Sequence, residues 1–373
     1  MHKLNILIFS NIPAPYFVDY CEELSQYVSL TVAFELREAT NRNKKWYKES
    51  ESFKTIFLDA KRLSNESGLS FRYKMILKQN RYDLVIVGNP TTFTGIFLTR
   101  YLKKHKIPFA IQSEGGFLGS GKGFKEKIKK RIISGANFYL SGMSGDSCYF
   151  KMYAHKGAKI YHYHFASYRD ALIDKKMISL EEKENYKKAF GIDRSIVVCY
   201  VGHFILEKGY KLALDMAKRF KKNKNVVFCF AGGKPSSDDE KFIKDNSLDN
   251  IKYVGFLNQK ELSALYHASS LLILPTYSDT WGLVINEAMA NGLPVVTTNM
   301  CIAGLELLKK NHPECIANVG DSDDLYNKVL YLVENESALK DLSQYGLKII
   351  QKHSIENMAS EIYSYIKEET YVS

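Results

Sequence analysis

Thirteen short apolar or β-rich runs punctuate this chain, and their rhythm constrains the fold more than any other feature. Seven lie in the first half, at residues 4–10, 29–34, 54–58, 83–88, 108–113, 137–141 and 159–165. Six lie in the second, at 195–202, 226–233, 251–256, 270–274, 295–298 and 315–319. Most are continuously apolar, as strands buried on both faces must be. Segments of helical periodicity, such as 18–27 and 93–104, separate them. Strands alternating with helices in this way form parallel sheets covered by helices.

At 373 residues the chain exceeds one ordinary core. The two series therefore predict an α/β protein with two Rossmann-like parallel-sheet domains facing across a cleft. A charged stretch at 170–189 reads as a hinge region and the first helix of the second half. The expected division is 1–170, then a linker and second domain over 171–355, then a C-terminal helix over 356–373.

Composition narrows the function classes. The 45% hydrophobic content and mean hydropathy of −0.25 suit a globular protein, and no apolar run approaches the length a bilayer requires. The opening run is shorter than a signal-peptide core and has no small-residue cleavage site, so the expected location is cytoplasmic. Cys21, Cys148, Cys199, Cys229, Cys301 and Cys315 are scattered without metal spacing and read as buried free thiols. The net charge of +11 is mostly Lys spread along the chain, with no aromatic-basic motif of an RNA-binding module. Nucleic acid is not an expected partner, while anionic membranes and phosphorylated substrates stay open.

The chemistry concentrates between Pro275 and Pro294, where Asp279 and Glu287 lie eight residues apart. Pro275 ends an apolar strand, because proline cannot donate to a ladder. Trp281, Val284, Ile285, Ala288 and Met289 then mark the buried stripe of a helix that Gly292 stops. Asp279 is placed just before the helix start and Glu287 about two turns inside. Free N–H groups at a helix start bind anions. A carboxylate beside such a site suits a ligand that carries both phosphate and hydroxyl groups. A buried helix with an Asp N-cap explains the segment alone but not the motifs elsewhere in the chain.

The run EAMANGLPVV from Glu287 to Val296 resembles the signature of the retaining nucleotide-sugar glycosyltransferases of family 4 (group 1), which have the GT-B fold. The family carries a Glu eight positions earlier, where this chain has Asp279. The segment CYVGHFILEKG, from Cys199 to Gly209, is similar to the stretch whose Arg and Lys hold the donor diphosphate. Lys208 matches that Lys, and His203 stands where Arg is usual. Fixed cations there stabilise the charge that a departing nucleoside diphosphate gains. A neutral imidazole supplies a hydrogen bond without a full charge. The resemblance also implies a donor-binding helix start at Gly282, Leu283 and Val284, and contact of Gly255 with the base or ribose. It assigns Glu287 to the ribose hydroxyls, which suit an acceptor-only carboxylate, and Asp279 to hydroxyls of the transferred sugar.

In the first half, SNIPAPY follows the opening strand and should line the cleft through Pro15 and Tyr16. Counting from Pro108 places Glu114 where relatives often carry a His near the transferred sugar. Glu114 reads either as a surface or helix-capping acid, or as a catalytic group that binds hydroxyls or assists acceptor deprotonation. From Lys122 to Arg131, six basic residues face one acid, Glu126, while Phe124, Ile128 and Ile132 form a stripe. This helix either lies on an anionic membrane or packs its stripe inward. His162 and His164 are too few for a metal site and read as cleft-edge or structural residues.

The resemblance implies transfer of a hexose or N-acetylhexosamine, with retention and without a metal or other cofactor. The donor would be a nucleotide diphosphate sugar, with UDP favoured. The acceptor would be a glycan or lipid-linked saccharide, in bacterial surface polysaccharide synthesis at the inner face of the cell membrane. It also implies a C-terminal helix that crosses back to the first domain. A catalytically silent GT-B partner subunit and a GT-B sugar-nucleotide epimerase are the alternatives. His203 and Asp279 keep the first open, and the Glu287 block speaks against the second.

Overall fold

The continuous apolar runs become the strands of two separate parallel sheets. The computed structural model describes residues 3–40, 47–117, 123–144 and 149–371. Met1–Arg169 with His353–Ser373 form one unit, and Asp170–Lys352 form the other.

The first unit opens with β1 (Asn5–Ser10), α1 (Pro15–Tyr27), β2 (Ser29–Phe34) and β3 (Lys54–Phe57). A small antiparallel hairpin, β4 (Lys61–Arg62) and β5 (Gly68–Leu69), leads to α2 (Tyr73–Gln79) and β6 (Leu84–Val87). Next come α3 (Phe93–Lys104), β7 (Phe109–Ser113), α4 (Phe124–Ile133), β8 (Phe138–Ser141), α5 (Tyr149–Tyr153) and β9 (Lys159–His162). The sheet order is β3-β2-β1-β6-β7-β8-β9, and every pair is parallel. Ile6, Leu7 and Ile8 of β1 are fully buried, as a central strand covered on both faces requires.

The second unit contains α6 (Leu180–Ala189), β10 (Ile196–Val201), α7 (Tyr210–Arg219), β11 (Val226–Ala231), α8 (Ser237–Asp245) and β12 (Ile251–Gly255). It continues with α9 (Gln259–Ala268), β13 (Leu271–Leu274), α10 (Leu283–Ala290), β14 (Val295–Thr298), α11 (Ile302–Leu307) and β15 (Ile316–Ala317). Two helices, α12 (Ser322–Val333) and α13 (Glu336–Ile350), end it. The order β12-β11-β10-β13-β14-β15 is again all parallel. The last helix, α14 (Ile355–Tyr371), belongs to the first unit and packs on α1. Tyr363 stacks on Tyr27 at 4.9 Å, and Glu361 accepts from the backbone N–H of His164 at 2.8 Å.

All thirteen runs contain a strand, and both sheets have the GT-B class of α/β architecture expected for them. Around Glu287 two details differ from the sequence reading. Helix α10 begins at Leu283, so Glu287 stands little more than one turn inside rather than two. Trp281 precedes that helix yet is buried, with its indole N–H donating to Asn286 Oδ1 at 2.8 Å. The five described cysteines are buried free thiols, and Cys148 lies outside the described residues.

Candidate functional site

In an open parallel sheet, ligands settle at the carboxyl ends of strands where successive connections leave in opposite directions. In the second unit that point falls between β10 and β13, because β10 pairs with β11 on one side and β13 on the other. The segment after β10 carries His203 and Lys208, and the segment after β13 carries Asp279. Sheet topology thus brings together residues far apart in the chain. Lys208 Nζ donates to Asp279 Oδ2 at 2.6 Å.

Backbone contacts fix both ends of this pair. The Glu207 carbonyl accepts from the Tyr277 N–H at 2.8 Å and from Thr276 Oγ1 at 2.6 Å. Gly209 has φ of 70°, and a Cβ there would lie 1.8 Å from the Pro275 carbonyl oxygen. Only glycine permits so close an approach with that backbone. On the other side, the Asp279 N–H donates to the Met300 carbonyl at 2.9 Å, and Ile302 N–H donates to the Asp279 carbonyl at 3.3 Å.

Three residues beyond Asp279, Gly282 turns the chain into α10 with φ of 99°. A Cβ on Gly282 would fall 2.5 Å from Cys301 Sγ, so the approach of thiol and backbone requires glycine here too. The first turn of α10 holds Leu283 and Val284 and no acid, leaving its positive dipole end uncancelled from within. Burial pushes the Cys301 thiol up to about 12, and the nearby Asp279 charge adds to the shift. The same two causes raise the Tyr200 phenol, whose hydroxyl donates to the His203 carbonyl at 2.8 Å.

Glu287 lies further along α10 and accepts from the Tyr266 hydroxyl at 3.0 Å. Burial raises its carboxyl to about 7, while the Tyr266 hydrogen bond opposes the rise. Gly255 ends β12, two strands from β10, with φ of 75° and open space where a Cβ would project. Sequence reasoning missed Tyr266, which α9 presents to Glu287. It also missed Phe204, which stacks on Tyr210 at 4.3 Å beside the same strand ends. Tyr266 stands in no motif, since an aromatic in an apolar stripe reads as core, and Phe204 lies within the Cys199–Gly209 segment, where only His203 and Lys208 drew a role. Among the described residues, no group of three or more His, Cys, Asp or Glu side chains is placed to hold a metal ion.

In the first unit the corresponding point lies between β1 and β6. Pro15 is the first residue of α1, where its fixed φ and missing N–H suit a helix start. One residue on, the Tyr16 hydroxyl donates to Glu114 Oε1 at 2.5 Å, joining the segments after β1 and β7. His162 Nδ1 meets the Met143 carbonyl at 2.8 Å, and His164 Nδ1 meets Glu361 at 2.7 Å. Helix α4 exposes Phe124 (79%) and Ile128 (42%) but buries Ile132. The stripe therefore does not pack inward along its first two turns. Lys122 lies outside the described residues.

The second unit's candidate segments fall within a longer stretch that matches a known family. Residues 182–349 match the glycosyl transferases, group 1. This group 1 match covers Lys208, Asp279 and Glu287 and a little under half the chain. An uncharacterized glycosyltransferase of Methanocaldococcus jannaschii is 29% identical over 158 residues, which is 42% of this chain and 44% of that protein. The chain thus spans less than half the length of that relative. A 41.2 kDa protein in the cps region of Klebsiella pneumoniae is 25% identical over 312 residues, 76% of this chain and 78% of the relative. The Anabaena protein HepE, solved in complex with UDP, superposes with a TM-score of 0.74 at 16% identity. That superposition covers 98% of this chain and 100% of HepE.

Proposed function

We propose that this protein is a retaining glycosyltransferase that moves a hexose or N-acetylhexosamine from a UDP sugar to a hydroxyl of a glycan acceptor. The observation that carries the reading is the Lys208–Asp279 pair at the switch point of the second sheet, beside the start of α10. Lys208 and the α10 N–H groups offer positive charge to a diphosphate, with His203 as a further donor. Glu287 accepts from the ribose hydroxyls, and Asp279 accepts from hydroxyls of the transferred sugar. Gly255 lies two strand spacings from β10, about 10 Å, a reach that suits the base end of a nucleotide. The lysine and the helix start supply the positive ends of the site, so the proposed reaction needs no metal or other cofactor. The UDP named in the HepE complex supports the choice of nucleotide.

Retention proceeds by same-face attack. The bond from the anomeric carbon to the leaving phosphate breaks while the acceptor oxygen bonds on that face, and the phosphate takes the acceptor proton. Stabilising the leaving diphosphate lowers the barrier directly. Glu114, held by Tyr16, binds the acceptor hydroxyl or assists its deprotonation. The K. pneumoniae relative in a cps region supports a role in bacterial surface polysaccharide synthesis. No described helix is long and apolar enough to cross a membrane. The exposed Phe124 and Ile128 among lysines support peripheral contact with an anionic membrane at its inner face, where a lipid-linked acceptor is met.

The test measures nucleotide release from a panel of UDP and GDP sugars, with and without lipid-linked oligosaccharide, and the anomeric configuration of the product. Acceptor-dependent release of UDP with an α-linked product from an α-linked donor is expected. An inverted product rules out retention. Binding of UDP without turnover on any acceptor favours the silent partner subunit.

A further inference from the structure

Backbone contacts hold the two segments that present the Lys208 and Asp279 side chains to each other. The Glu207 carbonyl ties one side to Thr276 and Tyr277, and the Met300 carbonyl ties Asp279 on the other. A diphosphate that engages Lys208 therefore sits beside the Asp279 carboxylate, which has little freedom to withdraw. Side-chain exposures of 28% for Lys208 and 13% for Asp279 leave limited room for water to screen the encounter. Lys208, Tyr200 and Cys301 are titratable groups that face the carboxylate among the described residues.

We propose that Asp279 discriminates against the free nucleoside diphosphate and so promotes product release. This rests on the donor reading above. Each phosphate of a sugar-nucleotide donor carries one ester and the shared anhydride bond, which leaves it one negative charge. When the anomeric carbon–oxygen bond breaks, the terminal phosphate keeps the electron pair, retains only its anhydride link, and passes the acceptor proton on to solvent. Its second ionisation, near pH 6, adds roughly one further negative charge at neutral pH. That charge arises next to a fixed carboxylate, and like charges so placed repel. The donor avoids most of this cost, because its sugar hydroxyls donate to Asp279. The carboxylate thus favours the bound donor and disfavours the product on the same lysine.

The experiment is calorimetric titration of UDP and UDP-glucose into wild type, Asp279→Asn and Asp279→Glu. At pH 8, Asp279→Asn should bind UDP roughly tenfold tighter than wild type, the size of one partly screened charge interaction. UDP-glucose should bind this variant no tighter than it binds wild type. Asp279→Glu keeps the charge and should stay within about twofold of wild type for UDP. By pH 5.5 the gap between wild type and Asp279→Asn should close, as the terminal phosphate gains its proton. Unchanged or weaker UDP binding by Asp279→Asn, with wild type binding both ligands, overturns the inference. Wild type binding neither ligand overturns the donor reading and this inference with it. Asp279→Ser, smaller than the native residue, repeats the comparison should the Asn variant fail to fold.

Discussion

Glu287 and Gly209 show how single residues link folding to the proposed chemistry. Burial lifts the Glu287 carboxyl to about 7 from its ordinary 4.5. The folded state therefore holds this proton to higher pH than the unfolded chain does. Its contribution to stability is complete below the ordinary carboxylate range and is lost as pH rises through about 7. Glu287→Gln removes that loss, so its melting temperature should gain on wild type between pH 5 and pH 8. A difference that stays flat with pH contradicts the assignment. The same variant should weaken UDP binding by about tenfold or more, since a carboxylate bonded to a diol has become an amide. Gly209→Ala meets a carbonyl oxygen with its Cβ in a left-handed backbone. It should lower stability by about 1–3 kcal/mol, measured by urea unfolding. Both residues were visible in the sequence, but the reasons for them were not. The Pro275 carbonyl that excludes a Cβ at 209 lies 66 residues away.

Elements were legible where local pattern and burial agree. Helix α10 has its stop signal at Gly292, with φ of 66°, and the following strand opens after Pro294. Its entry depends on Trp281, buried and bonded to Asn286. Trp281→Ala should cost about 3–5 kcal/mol and disturb the Asp279 loop, which unfolding and UDP titration together report. The hairpin β4–β5 was not legible, because its support is long-range. The Glu35 carboxylate accepts from the Gly68 N–H at 2.9 Å and from Thr92 Oγ1 at 2.5 Å. Nothing near residues 61–69 announces those partners.

Helices α2, α3 and α4 together carry ten basic residues and one acid, Glu126. That is ten of the chain's 52 Lys and Arg against one of its 41 acids, beside exposed Phe71, Phe93, Phe97 and Phe124. The protein should sediment with vesicles containing phosphatidylglycerol and not with phosphatidylcholine alone. Lys125→Glu, Lys127→Glu and Lys130→Glu combined should reduce binding at least tenfold, at about 1 kcal/mol per charge near an anionic surface. Equal sedimentation of this variant contradicts a role for α4.

Across the whole molecule, two parallel sheets were readable from thirteen apolar runs, because strands buried on both faces leave little else in their sequence. The position of α14 was not readable from its own amphipathic pattern, which does not say what it packs on. The Tyr27–Tyr363 stack and the His164–Glu361 contacts decide that. Likewise, Lys208 and Asp279 were each visible within a motif, but their bond spans 71 residues and follows from strand order.

The central claim is that this pair marks a nucleotide-diphosphate site. Calorimetric titration of UDP and GDP into wild type, Lys208→Ala and Glu287→Ala tests it most directly. Saturable UDP binding by wild type is predicted, weakened at least tenfold in each variant, as loss of a charge-assisted bond implies. Absence of UDP and GDP binding by the wild-type protein, or undiminished binding by both variants, would contradict the account.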